Sequence, residues 1–293
     1  MNGGNGCTGA GDNISRMAEH YENFPVASWL CPPLLRPPIS AIYRFARTAD
    51  DIADEGHASP ADRLKDLGAM RADLLAVAAG RQHSGRWPEV FETLESMLVR
   101  WGLPVPLLAD LLDAFEQDVI KTRDASGYHD IAELLDYCRR SANPVGRLLL
   151  HLYGMDDDES LQQSDAVCSA LQLINFWQDL SVDLPRGRLY LPHQVCHAHG
   201  LNTQSLQVSI DTPQTRAIVA ELVDHARDLM LHGAPLALRV PGRTGWELRL
   251  VVQGGLRILD KIESLGFATL SQRPTIRKAD TLLMLWRAVR MRP

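Results

Sequence analysis

Residues 37–56 read PPISAIYRFARTADDIADEG, and the fold of the whole chain is read from this stretch. A proline pair opens it, apolar residues fall at 39, 42, 45, 46, 49, 52 and 53, and Gly56 closes it. That pattern predicts an amphipathic helix with a defined start and stop. Its last turns carry Asp50, Asp51, Asp54 and Glu55. Asp50 and Asp54 stack one turn apart, at the helix end where the macrodipole disfavours anions. Tyr43 and Arg47 lie upstream of Asp50 on roughly the same stripe.

A second stretch, residues 171–192, reads LQLINFWQDLSVDLPRGRLYLP. Asn175, Asp179 and Asp183 recur at four-residue intervals, which predicts one polar stripe on a helix running from about 159 to 183, soon ended by Pro185. Leu171, Leu173, Ile174, Phe176, Trp177 and Leu180 surround that stripe. Carboxylates in such company are costly unless they face a cavity or a cation. An Arg186-Gly187-Arg188 turn then supplies positive charge.

Either acidic cluster alone reads as a solvated helix end. Two clusters with the same spacing at the same unfavourable position point instead to an all-oxygen site for Mg²⁺, completed by substrate phosphates. An apolar bundle behind it would hold a hydrocarbon tail. The chemistry implied is metal-assisted loss of diphosphate from a lipid, with arginines stabilising the leaving charge.

The rest of the chain agrees with a helical reading. Further segments follow Ser59-Pro60, Pro88 and Pro104, then run from about 129 to 153, 213 to 232, 246 to 264 and 275 to 290. No alternating strand pattern, internal repeat or long linker interrupts them. The expectation is an all-α chain of roughly ten helices, with a disordered tail over 1–13 and a single domain over 14–293. With 293 residues, 45% apolar and 23% charged, the composition is that of an ordinary globular protein. A formal charge of −6 gives no basic field for nucleic acid. No run approaches the ~20 apolar residues of a membrane span, and no secretory signal opens the chain. Five scattered cysteines read as reduced thiols in a cytoplasmic protein. His193, His197 and His199 lack a third ligand at zinc spacing and read as surface histidines. Asp156 to Glu159 reads as an acidic lead into a helix N-terminus.

YRFARTADDIAD and NFWQDLSVDLPRGRLYLP resemble the two aspartate-rich motifs of the squalene/phytoene synthases, and the resemblance extends from about His20 to Arg290. The lead-in ENFPVASWLCPPLLRPPISAIYRFARTADDIADEG is most similar to the bacterial hopanoid-pathway branch that makes hydroxysqualene. The resemblance implies a single-domain isoprenoid synthase bundle with a central apolar cavity. It implies Asp50, Asp54, Asp179 and Asp183 as Mg²⁺–diphosphate ligands, and Tyr43 and Arg47 as contacts to diphosphate or carbocation. His20, Asn23, Asn175, Gln178, Arg186, Arg188, Tyr190 and Arg273 would bind substrate. Tyr137 of YCRRSANPVG would stand near the reacting carbons, and the Asn143-Pro144-Val145-Gly146 turn would admit the lipid.

The departures from the family pattern narrow the reaction. Glu22 stands where many members have a diphosphate-facing lysine, Gln178 replaces an arginine, Val182 a glutamate, and Gly255-Leu256 a Tyr-Arg pair. Fewer anion-binding groups suit one diphosphate rather than two. The implied activity is Mg-dependent conversion of presqualene diphosphate and water to hydroxysqualene and diphosphate, a carbon–oxygen lyase reaction without NADPH. The alternatives are head-to-head synthesis of squalene or phytoene from two prenyl diphosphates, and a catalytically silent assembly factor. The resemblance further implies a cytoplasmic enzyme with peripheral contact at the inner membrane and handover to other squalene-pathway enzymes. Residues Pro25 to Leu35, with Trp29 and Leu30, are one candidate for that contact, and core packing is the other reading of them.

Overall fold

A computed structural model describes residues 31–203, 206 and 210–292, and within them every regular element is a helix. The tail over 1–13, His20, Glu22, Asn23, Trp29 and Leu30 lie outside the described residues. Nine longer helices form the frame: α1 (Arg36–Asp54), α2 (Pro60–Ala78), α3 (Pro88–Trp101), α4 (Val105–Arg123), α5 (Ile131–Ser141), α6 (Asn143–Leu152), α7 (Asp158–Gln178), then, after two short ones, α10 (Pro213–Gly233), and α12 (Gly242–Ser264). The short helices are α8 (Leu180–Asp183), α9 (His193–Ala198) and α11 (Leu236–Arg239), and α13 (Lys278–Arg290) closes the described chain.

Local signals set the boundaries. Ser59 accepts from the Asp62 amide at 3.2 Å, Asp130 from Glu133 at 2.8 Å, Asp157 from Ser160 at 3.0 Å and Thr212 from Thr215 at 3.1 Å. Each caps an otherwise unsatisfied N-terminal donor. The acidic lead at Asp156–Glu159 therefore does cap α7 through Asp157. The segment expected from 129 to 153 is two helices, broken at Ala142 ahead of Pro144. The helix expected to run through 183 stops at Gln178, and Asp179 has ψ 12° where a helical residue needs about −42°. The uniform helical stripe through Asn175, Asp179 and Asp183 is thus corrected to a helix end plus one separate turn.

The helices build two apolar clusters. One joins α1 to α4 and takes Leu148 and Leu152 from α6, with Phe45 edge-on to Phe91 at 6.2 Å. The other is built around α7, which packs on α5, α6, α10, α11 and α12. Helix α4 serves both, with Leu108, Leu112 and Val119 in the first and Ala114 in the second. The acidic end of α1 therefore belongs to one cluster and the C-terminal end of α7 to the other. Close approach to α7 depends on glycine. A Cβ on Gly146 of α6 would run into Ser164 Oγ, and one on Gly233 of α10 would sit 2.6 Å from the Gln163 carbonyl oxygen.

Candidate active site

Both aspartate motifs face one cavity of about 450 Å³ at the seam between the clusters. Asp50 and Asp54 reach it from the last turns of α1. That helix end is held by Arg63 of α2, which donates to the carbonyls of Ile52 at 2.8 Å and Gly56 at 3.0 Å. Cationic donors at a helix C-terminus satisfy free carbonyls and oppose the macrodipole. Asp179 and Asp183 enter from the end of α7 and from α8. Gly187, at φ 76°, then turns the chain back so that Arg186 and Arg188 line the same space.

Arginines interleave the carboxylates. Arg47 is 2.9 Å from Asp50 and 2.7 Å from Asp51. Arg188 is 2.6 Å from Asp54 and 3.8 Å from Asp183. Arg273, from the loop before α13, grips Asp179 with two bonds of 2.6 and 3.2 Å. The charges do not balance, since five aspartates and three arginines line the cavity. Burial, with Asp54 beside it, pushes the Asp50 carboxyl up to about 6. Burial also raises Asp183 to about 6 against the pull of Arg188. Among the described residues no three acidic, histidine or cysteine side chains converge into a ready metal cage. The hard-oxygen donor set and its excess negative charge nonetheless fit a divalent cation brought in with an anionic substrate.

The deep wall is aromatic. Tyr137, Phe176, Tyr190 and Phe115 line it, with Phe176 stacked on Tyr190 at 3.7 Å. The Tyr137 hydroxyl donates to Asp118 on α4 at 2.6 Å, and burial pushes the Asp118 carboxyl up to about 7. Ser141, one turn after Tyr137, also lines the cavity, and its buried hydroxyl makes no hydrogen bond. Further back along α7, a narrower apolar cavity of about 120 Å³ is lined by Val145, Gly146, Leu149, Leu171, Leu248 and Val251 among others. A polar space and an apolar one thus lie along one helix.

Of the residues singled out in the sequence, Asp50, Asp54, Tyr137, Asn175, Gln178, Asp179, Asp183, Arg186, Arg188, Tyr190 and Arg273 line this cavity. Arg47 lines the adjoining cleft of about 610 Å³ beside Asp50 and Asp54. Tyr43 lines neither space. Asn143 is buried, its Oδ1 accepting from Ser169 of α7 at 2.9 Å, so it ties two helices together while its neighbours Val145 and Gly146 meet the apolar cavity. Gln178 lines the cavity but spends its amide on the Pro274 carbonyl at 2.7 Å. Sequence reading missed Asp118, Ser141 and Gln172. Asp118 left a usable trace: Leu111, Phe115, Asp118 and Thr122 share one stripe of α4, and a carboxylate on such a stripe calls for a cavity.

Residues 17–280 match the family model described as squalene/phytoene synthase. The chain is 36% identical over 259 residues to a hydroxysqualene synthase of Rhodopseudomonas palustris, covering 88% of this chain and 85% of that protein. It is 36% identical over 250 residues to a hydroxysqualene synthase of Sinorhizobium fredii, covering 85% and 80%. The crystal structure of squalene synthase HpnC from Alicyclobacillus acidocaldarius superposes with a TM-score of 0.76 at 34% identity, over 87% of this chain and 94% of that one. More distant relatives carry the names phytoene synthase and presqualene diphosphate synthase.

Proposed function

Because the chain belongs to the squalene/phytoene synthase family, we propose that it converts presqualene diphosphate and water to hydroxysqualene and diphosphate, as a step of hopanoid and squalene biosynthesis. The observation that carries this reading is a single cavity in which an Asp/Arg rim meets an aromatic wall bearing a hydroxyl without a partner. Diphosphate oxygens meet Arg47, Arg186, Arg188 and Arg273 at the rim, and the hydrocarbon extends along α7 into the apolar cavity.

Asp50, Asp54, Asp179 and Asp183 would hold Mg²⁺, which when bound offsets the charge of the diphosphate and of the departing group. The C–O bond to diphosphate breaks with its electron pair on the leaving oxygen. Tyr137, Phe176 and Tyr190 line the space in which the resulting cation would be held. Water, placed by the hydroxyls of Tyr137 and Ser141, adds through its oxygen. Its proton passes to the Tyr137 oxygen as Tyr137 gives its own to Asp118, so the charge ends as a neutral carboxyl. No hydride enters this sequence.

Purified protein incubated with presqualene diphosphate and Mg²⁺ should give hydroxysqualene and one diphosphate per turnover, while farnesyl diphosphate alone should give neither presqualene diphosphate nor squalene. Efficient squalene or phytoene formation from two prenyl diphosphates would replace this reading with head-to-head synthesis. Consumption of neither substrate would leave the silent family member.

A further inference from the structure

Helix α13 turns an apolar stripe away from the protein. Leu282, Leu285, Trp286 and Val289 are 75, 44, 52 and 65% exposed, and their spacing puts them on one face. The opposite face is fastened to α12. Asp280 takes Arg257 at 2.8 Å and Lys261 at 2.7 Å, a Cβ on Gly254 would meet Met284 at 3.5 Å, and Ala288 is fully buried. The helix cannot roll its apolar stripe inward without breaking those ion pairs.

The polar residues beside the stripe are of one sign. Lys278, Arg290 and Arg292 are exposed, and the only acidic residue of α13, Asp280, is buried under its two partners. Arg290 lies over the Trp286 ring at 4.1 Å. On α12, Trp246 is 44% exposed and carries Arg249 over its ring at 4.3 Å. Exposed tryptophan with arginine over its ring, beside leucine and valine, matches the boundary between lipid headgroups and acyl chains.

We propose that the outer face of α13 seats the protein on an anionic lipid surface, with Leu282, Leu285, Trp286 and Val289 in the acyl boundary and Lys278, Arg290 and Arg292 on lipid phosphates. Charge complementarity selects this occupant over symmetric pairing with a second copy, which would set the exposed Lys278, Arg290 and Arg292 against their own counterparts. The placement has a use. Helix α12 carries Leu248 and Val251 into the apolar cavity and packs α13 elsewhere on its surface, so the seat is one helix away from the space for hydrocarbon. Only this use rests on the proposed function.

The test needs no turnover. The full chain is sedimented with phosphatidylcholine vesicles with and without about one-third phosphatidylglycerol, and Leu282→Gln/Val289→Gln and Trp286→Gln variants are compared. Binding to the anionic vesicles should exceed binding to the neutral ones and fall about tenfold in each variant, with melting temperature and oligomeric state unchanged. Equal binding by the variants, or no binding by the unaltered chain, overturns the proposal. Dissociation of an oligomer in the variants assigns the face to a second copy and overturns it too. Turnover of detergent-dispersed presqualene diphosphate, unaffected by these substitutions, keeps the two readings separable.

Discussion

Arg188 stands between the two acidic motifs, its Nη2 2.6 Å from Asp54 on α1 and its Nη1 3.8 Å from Asp183 on α8. One guanidinium therefore shields carboxylates that arrive from different apolar clusters. Replacing it in Arg188→Ala leaves both facing each other across the cavity. The expected outcome is a fall in kcat/KM of about a hundredfold, or about 3 kcal/mol, with inhibition by inorganic diphosphate weakened in parallel. Steady-state kinetics with diphosphate as competitor checks both.

Asp50→Asn and Asp179→Asn should each abolish turnover with helix content retained. Their stabilities should differ. Asp50 is half-buried beside Asp54, so its amide relieves like-charge repulsion and the melting temperature holds or rises. Asp179→Asn gives up the charged half of the bidentate bond to Arg273 and should cost about 1 kcal/mol. Circular dichroism melts alongside activity decide this, and near-normal turnover in either variant refutes the assignment.

Asp50 and Asp183 sit near 6 and Asp118 near 7, all above the ~3.9 of an unfolded aspartate. Between those values the folded state holds more protons than the unfolded one. The contribution of these three groups to stability therefore falls as pH rises from about 4 to 7. The melting temperature of the unaltered protein relative to Asp118→Asn should drop by several degrees over that window. Magnesium with diphosphate should raise it more at pH 8 than at pH 5, because protonated carboxyls bind cations poorly. A parallel pH course for protein and variant removes Asp118 from the account.

Ser141 and Tyr137 separate ionisation from quenching. Ser141→Val should release diphosphate within a few-fold of the normal rate while the share of hydroxysqualene falls in favour of products of proton loss. Tyr137→Phe should slow turnover by about a hundredfold and destabilise the fold by about 1–3 kcal/mol, because Asp118 loses its donor. Product analysis by gas chromatography is the readout. An unchanged product share in Ser141→Val removes that hydroxyl from water placement.

Gly233→Ala directs a methyl at the Gln163 carbonyl and the Val167 amide, both backbone atoms that cannot swing aside. Thermal unfolding should show a loss of about 2–3 kcal/mol. Gly102→Ala, by contrast, meets nothing within 4 Å and pays only for its φ of 59°, about 1 kcal/mol.

The sequence made α1, its Ser59 neighbour cap and both aspartate motifs readable, because proline, periodicity and capping residues act within a few positions. It could not show the break at Asp179. That residue keeps helical spacing, and its departure goes with a clamp from Arg273, 94 residues away. Asp118 escaped for a similar reason: its partner Tyr137 lies on another helix, and only packing brings them to 2.6 Å. The outward stripe of α13 was equally hidden, since periodicity finds an apolar face without saying whether the protein covers it.

Arg273 and its neighbour Pro274 reach back together to the end of α7, one clamping Asp179 and the other taking the Gln178 amide, across 94 and 96 residues. During synthesis, all four aspartates leave the ribosome well before this pair does. A nascent chain of some 260 residues would carry every residue of both motifs and still leave the second one unfastened. The site is thus fastened late, with the loop before α13, and a premature stop there would yield a polypeptide that bears the full signature with its second motif left unclamped.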